Sequence, residues 1–103
     1  MTFEAIRIIR ASHPTLPGHF PGAPVVPGVV ILDEVIAALI EWRQDSELTG
    51  LRLVKFLAPL PPEQVFTISF SAKSEHAAEI NFCCRAGDCI IVEGRLEVAW
   101  EAR

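Results

Sequence analysis

Between Gly28 and Asp45 the chain runs eighteen residues with no glycine or proline after the first position. Val29, Val30, Ile31, Leu32, Val35, Ile36, Ala37, Ala38, Leu39, Ile40 and Trp42 lie within it. The segment is too long for one ordinary strand, and its apolar residues spread around most of a helical circumference. It is predicted to be a helix, mostly buried. From Leu51 onward the period changes to two. Phe66, Ile68, Phe70 and Ala72 alternate with Thr67, Ser69 and Ser71, and Ala78, Ile80, Phe82 and Cys84 alternate with Glu79, Asn81, Cys83 and Arg85. Ile90, Val92, Leu96, Val98 and Trp100 alternate with Glu93, Arg95 and Glu97. Such runs are strands, and the joins at Lys73 to Ala77 and Ala86-Gly87-Asp88 are short enough to make antiparallel hairpins with one apolar face. Phe3 to Arg10, rich in Ile, reads as a further strand. One helix wrapped by a curved antiparallel sheet gives an α+β domain over residues 1–103.

A domain of 103 residues, half of them apolar, buries only about 60–70% of the surface its unfolded chain exposes, so some apolar surface is expected to enter a partner. A homo-oligomer is the expectation. Nine Lys+Arg against thirteen Asp+Glu, with no basic run, make nucleic acid an unsuitable ligand, because phosphate contacts need clustered positive charge. Cys83, Cys84 and Cys89 are odd in number and have no metal-finger spacing, which disfavours a zinc site or disulfide framework and suits a reducing compartment. Met1-Thr2-Phe3-Glu4 lacks the basic start and apolar core of a secretory leader. The longest stretch free of Asp, Glu, Lys and Arg, Ala11 to Leu32, carries five prolines and two histidines, so no membrane span is expected and the cytoplasm is the default location. Phosphate-binding glycine loops, dinucleotide fingerprints and metal-ligand clusters are absent from the sequence, so no cofactor and no metal are expected.

Pro14, Pro17, Pro21, Pro24 and Pro27 fall within fourteen residues and make that segment a stiff, irregular loop, while Pro59, Pro61 and Pro62 mark a second turn. Three features around the first loop are candidate chemistry. His19 is a side chain that exchanges protons near neutrality, on a loop that fixes its direction, unless it merely satisfies loop backbone groups. Asp33 shares helical spacing with Val29, Val30, Ile36, Ala37 and Ile40, a stripe otherwise suited to burial. An unpaired carboxyl there would cost several kcal/mol or have its pKa raised, unless it caps backbone amides. Glu34, with Ala38, Glu41 and Asp45, reads as a solvated face. Pro27-Gly28 opens the helix, where free amides carry positive partial charge and a glycine admits close approach of a carbonyl oxygen, although ordinary helix initiation uses the same residues. A base, an acid and a carbonyl polariser are what removal of a proton next to a carbonyl requires.

The residues His19-Phe20-Pro21-Gly22, Pro24, Pro27-Gly28-Val29 and an acid fourteen positions after the histidine form a recognisable pattern. It resembles the β-hydroxyacyl-acyl carrier protein dehydratases of the hotdog fold, the FabA/FabZ-like family and its ApeI-like branch from aryl polyene clusters. The likeness continues through Val54-Lys55-Phe56 and Pro59 to Pro62 and covers most of the chain. The resemblance implies a homodimer whose two sheets join into one and whose sites lie at the interface, with histidine from one subunit and acid from the other. It assigns His19 to take the C2 proton of a 3-hydroxyacyl thioester and Asp33 to assist departure of the hydroxyl as water. Gly28 would polarise the carbonyl, and Phe20, Val29 and Val30 would line the acyl site. The expected product is a trans-2-enoyl thioester, in fatty acid or polyketide or aryl polyene-type synthesis. Some members with Asp as the acid also isomerise the double bond. Where many members have Gln four residues after the acid, this chain has Ala37, and it starts later than the longer members.

The thioester partner implied is an acyl carrier protein or coenzyme A. An acidic carrier docking on an acidic enzyme needs local positive charge, for which Arg52, Lys55, Arg7 and Arg10 are the candidates, against a reading as scattered solvated charges. A hotdog acyl thioesterase would use the same fold and direct water at the carbonyl. A non-catalytic acyl-binding subunit would keep the pocket and lose turnover.

Overall fold

A computed structural model describes residues 1–14 and 25–100. Its elements are β1 (Thr2–Arg7), α1 (Gly28–Trp42), β2 (Ser46–Phe56), β3 (Phe66–Ser71), β4 (Glu79–Ala86) and β5 (Cys89–Trp100). The strands form one antiparallel sheet in the order β1-β3-β4-β5-β2. Alternation sets the inner face: Phe66, Ile68 and Phe70 of β3, Ile80, Phe82 and Cys84 of β4, and Val92, Leu96 and Val98 of β5 are all buried. Helix α1 covers that face with Val30, Ile31, Val35, Ala38 and Leu39. Each large side chain buried this way contributes about 1.5–3 kcal/mol.

The far end of α1 is fastened by aromatic packing. Trp42 stacks on Phe70 at 5.6 Å and on Phe3 at 5.8 Å between ring centroids, which joins the helix to β3 and β1. The helix stops three residues before the predicted Asp45. Arg43 leaves helical geometry with φ −128° and ψ 76°, its N–H donates to the Leu39 carbonyl at 2.7 Å, and Ser46 closes on the Arg43 carbonyl through both its hydroxyl and its N–H. Strand β1 likewise ends at Arg7 and not at Arg10, because Arg7 pairs with Phe66, the first residue of the partner strand.

Two departures from simple alternation shape the sheet. Cys84 pairs with Val92 and Arg85 with Ile90, so Ile91 is an extra residue, and both Ile91 and Val92 are buried. The Ile91 carbonyl then accepts N–H groups from Leu57 and Ala58, at 2.8 and 3.2 Å. In β2 the register slips between Leu48 and Gly50 and again between Leu51 and Leu53, and this edge strand leaves Leu51, Leu53 and Phe56 exposed.

The helix is less buried than its composition predicts. Val29 is 64% and Ile40 56% exposed, because the sheet of one chain covers only the Val30–Val35–Leu39 side.

Candidate functional site

The first turn of α1 is the best-defined part of the site. Pro27 stands at the N-cap and provides no side-chain bond, while its carbonyl accepts from Val30 at 3.0 Å and Ile31 at 3.4 Å. The N–H groups of Gly28 and Val29 therefore precede the first intrahelical bonds, at the positive end of the helix dipole, and no acidic side chain occupies that turn. An oxygen carrying partial negative charge is the complement of this end.

Gly28 owes its identity to a neighbour. A Cβ there would lie 2.6 Å from Cζ of Phe56, whose half-exposed ring sits over the start of the helix. The Phe56 ring thus takes the place a Cβ would occupy on this glycine, so the close approach seen here is that of a side chain of the same chain. Beside it lies a cleft of about 360 Å³ lined by Val25, Gly28, Ile31, Phe56, Leu57 and Pro59. Phe56 belongs to the Val54-Lys55-Phe56 motif, but only its contact with Gly28 marks it as part of the site.

Asp33 lies five residues along, about 7.5 Å further up the axis. Its carboxyl is exposed, which corrects the expectation of a stripe suited to burial within the chain. Val29, Ala37 and Ile40 on the same side are exposed too and Ile36 is half-buried, whereas Val30, expected to line the acyl site, faces the core at 4% exposure. The helix carries two apolar sides, and the one bearing Asp33 faces away from its own sheet. Glu34, expected on a solvated face, is instead half-buried and paired with Arg7 Nε at 3.4 Å. Arg7 also bonds Glu41, so one guanidinium on β1 bridges two helix carboxylates a little under two turns apart.

The other candidate cations also have acidic neighbours. Arg10 pairs with Glu63 at 3.1 Å, Arg52 with Glu97 at 3.1 Å, and Lys55 stands opposite Glu93 in the β2–β5 register. His19 and Phe20 lie outside the described residues. A larger hollow, about 450 Å³, lies on the outer face of the sheet among Ser69, Ser71, Asn81 and Cys83, across the sheet from the helix. Among the described residues no group of His, Cys, Asp and Glu could hold a metal, and no helix is long and apolar enough to cross a membrane.

The family model of the ApeI-like proteins, described as ApeI dehydratase, matches residues 2–95. The chain belongs to the ApeI-like dehydratase family. A curated relative, the 3-hydroxyacyl-[acyl-carrier-protein] dehydratase FabZ of Chlamydia trachomatis serovar L2, is 30% identical over 100 residues. The match takes in 85% of this chain and 65% of that relative, so the ApeI-like chain spans just under two thirds of the FabZ length. Among solved structures, the dehydratase heterocomplex ApeI:P from Xenorhabdus doucetiae superposes with a TM-score of 0.80 at 19% identity, over 95% of this chain and 87% of that one. The fluoroacetyl-CoA-specific thioesterase FlK superposes with a TM-score of 0.68 at 16% identity, over 96% and 90%. These structural likenesses establish the hotdog fold, which the five-stranded antiparallel sheet and its helix display.

Proposed function

We propose that this ApeI-like chain dehydrates a 3-hydroxyacyl thioester to the trans-2-enoyl thioester, acting as a homodimer with two shared sites. The observation that carries the reading is the placement of Asp33. A carboxylate stands exposed among Val29, Ala37 and Ile40 on a helix face that the chain's own sheet leaves uncovered. A second copy laid against that face would remove the apolar side chains from water and bring Asp33 into a site shared between subunits. The edge strand β2, with exposed Leu51 and Leu53, gives the two sheets a place to join.

In that site the thioester carbonyl oxygen meets the N–H groups at the start of α1, and negative charge developing on it is stabilised by the helix end. His19 takes the proton from C2. The C3–O bond breaks as the hydroxyl receives a proton from Asp33 of the partner subunit, water leaves, and the electron pair of the former C2–H bond becomes the C2–C3 double bond. Proton transfer from His19 back to Asp33 resets the pair. The acyl chain runs along Val29 and Phe56, and the carrier is an acyl carrier protein or coenzyme A, for which Arg52 and Lys55 on β2 are candidate contacts that would have to exchange their acidic neighbours Glu97 and Glu93 for the carrier. The likeness to FabZ supports a place in fatty acid synthesis or a related acyl-chain route.

Mass spectrometry of a 3-hydroxyacyl thioester incubated with the protein, on acyl carrier protein and on coenzyme A, tests the reading. Loss of water on either carrier supports it. Release of the free acid would select thioester hydrolysis, and retention of the unchanged thioester by the protein would select an acyl-binding subunit.

A further inference from the structure

We propose that Arg7 is a positioning residue that sets the rotation of α1 about its own axis, and with it the direction in which Asp33 is presented. The inference rests on the functional reading above and adds to it a residue on β1. Phe3, Ala5 and Arg7 alternate onto the side of β1 that faces the helix, opposite Phe70, Ile68 and Phe66, all three of which are buried. The Arg7 side chain is only 21% exposed there. An arginine on a core-facing row calls for a reason, because charged side chains are seldom buried without partners.

Each nitrogen of the guanidinium has its own partner. Nη1 donates to the Ile6 carbonyl at 3.2 Å, Nε stands 3.4 Å from the Glu34 carboxylate, and Nη2 bonds the Glu41 carboxylate. The first contact ties the group to its own strand, and the other two grip the helix. Glu34 and Glu41 are one heptad apart, so they lie within about 20° of one line along α1. Asp33 precedes Glu34 by one residue, about 100° around the axis, so a grip on that line fixes where Asp33 points. Apolar packing fixes it less sharply. Burial is non-directional, and a small rotation exchanges area buried on the Val30–Val35–Leu39 side for area on the Val29–Ile36–Ile40 side. Trp42, stacked on Phe3 and Phe70, holds only the far end of α1, nine residues or about 13.5 Å beyond Asp33. A side-chain tip lies about 5–6 Å from the helix axis, so a turn of about 10° carries the Asp33 carboxyl about 1 Å, a misplacement that costs a reaction up to about a hundredfold.

The test compares the full chain as wild type, Arg7→Met, Glu34→Ala, the double variant and Arg95→Met, in dehydration of the 3-hydroxyacyl thioester and in crystal structures superposed on the sheet. In Arg7→Met kcat should fall roughly tenfold, and in Glu34→Ala, where Glu41 still holds the guanidinium, roughly threefold, with KM within about twofold in both. The double variant should match Arg7→Met, because the Glu34 side chain acts through the same contact. The thermal midpoints of the single variants should move by no more than about 5 °C, since partly exposed ion pairs add little stability. The Asp33 carboxyl should stand about 1 Å from its wild-type place in Arg7→Met, with Trp42 still stacked. Arg95→Met loses an ion pair with Glu79 on the strands β5 and β4 and should change neither kcat nor Asp33. Arg7→Met and Glu34→Ala remove opposite charges, so an effect of charge alone would drive kcat in opposite directions, and that result would overturn the proposal. An Asp33 carboxyl unmoved in both variants overturns it whatever the activity, and so does a fall in Arg95→Met as large as in Arg7→Met. Glu34→Ala, which puts a strong helix former into α1, decides should Arg7→Met fail to fold. If wild type proves inactive while the variants displace Asp33, the positioning role stands and the dehydratase reading falls.

Discussion

Gly94 on β5 lies so close to β2 that a Cβ added to it would stand 2.0 Å from the Leu53 carbonyl oxygen, and 2.8 Å from the Phe82 ring. Gly94 pairs with Phe82 on one side and with Val54 on the other, just past the slip between Leu51 and Leu53. The slip bends β2 over β5, and the missing side chain is what lets the two backbones approach. Gly94→Ala should therefore destabilise the fold by at least about 2 kcal/mol, since a backbone oxygen cannot swing aside. Gly50→Ala is the comparison: its nearest neighbour is the flexible Glu97 carboxylate at 3.3 Å, and its cost should stay within about 0.5 kcal/mol. Urea unfolding of both variants checks this, and equal midpoints would contradict the close approach.

The three thiols should react in an order set by burial. Cys89 is exposed, Cys83 is half-buried on the outer face, and Cys84 is buried, with its thiol pushed up to about 12 by burial and, secondarily, by the adjacent Cys83. A disulfide reagent at pH 8 should label Cys89 quickly, Cys83 slowly and Cys84 only on unfolding, because the thiolate is the reacting form. The same shift weakens the fold in alkali. Above the ordinary value of 9.0 the unfolded chain releases a proton that the folded chain keeps until about 12, so this contribution to stability is full below 9.0 and is lost across that window. Three fast thiols in the native protein would contradict the packing.

Ile40→Glu should convert the proposed dimer to a folded monomer. The side chain is 56% exposed in the single chain, so the substitution costs the monomer little, yet a second copy against this face would have to bury the new charge. Sedimentation velocity of wild type and variant reads the change. A wild type that sediments as a monomer at micromolar concentration would remove the partner that the shared site requires.

Much of this fold is legible in the sequence, and the losses have specific causes. Strands β3, β4 and β5 show the period of two because only one face of the sheet meets the helix. The extra residue at Ile91 leaves no mark, since Ile90, Ile91 and Val92 are all apolar and a slip of one cannot be told from continued pairing. The same degeneracy hides which side of α1 faces the sheet: Val30, Val35 and Leu39 on one side and Val29, Ile36 and Ile40 on the other are equally apolar, and only tertiary packing separates them. Asp33 was legible as a residue out of place on an apolar stripe, but its exposure was not. The role of Phe56 depends on a contact with Gly28 across 28 positions in sequence, which no local pattern carries. Arg7, legible only as a positive charge, is bound to Glu34 and Glu41, a pairing that arises when β1 is laid beside the helix.

The central claim is that His19 and Asp33 from different subunits form one dehydrating site, and mixed dimers test it most directly. His19→Ala and Asp33→Asn are each expected to lose about a hundredfold or more of the dehydration rate. Refolding the two inactive variants together in equal amounts makes half the dimers mixed, each with one intact site of two, so about a quarter of the wild-type rate should return. Recovery to that level is the predicted result. A mixture no more active than its parents, with mixed dimers demonstrated by mass, would contradict the shared site.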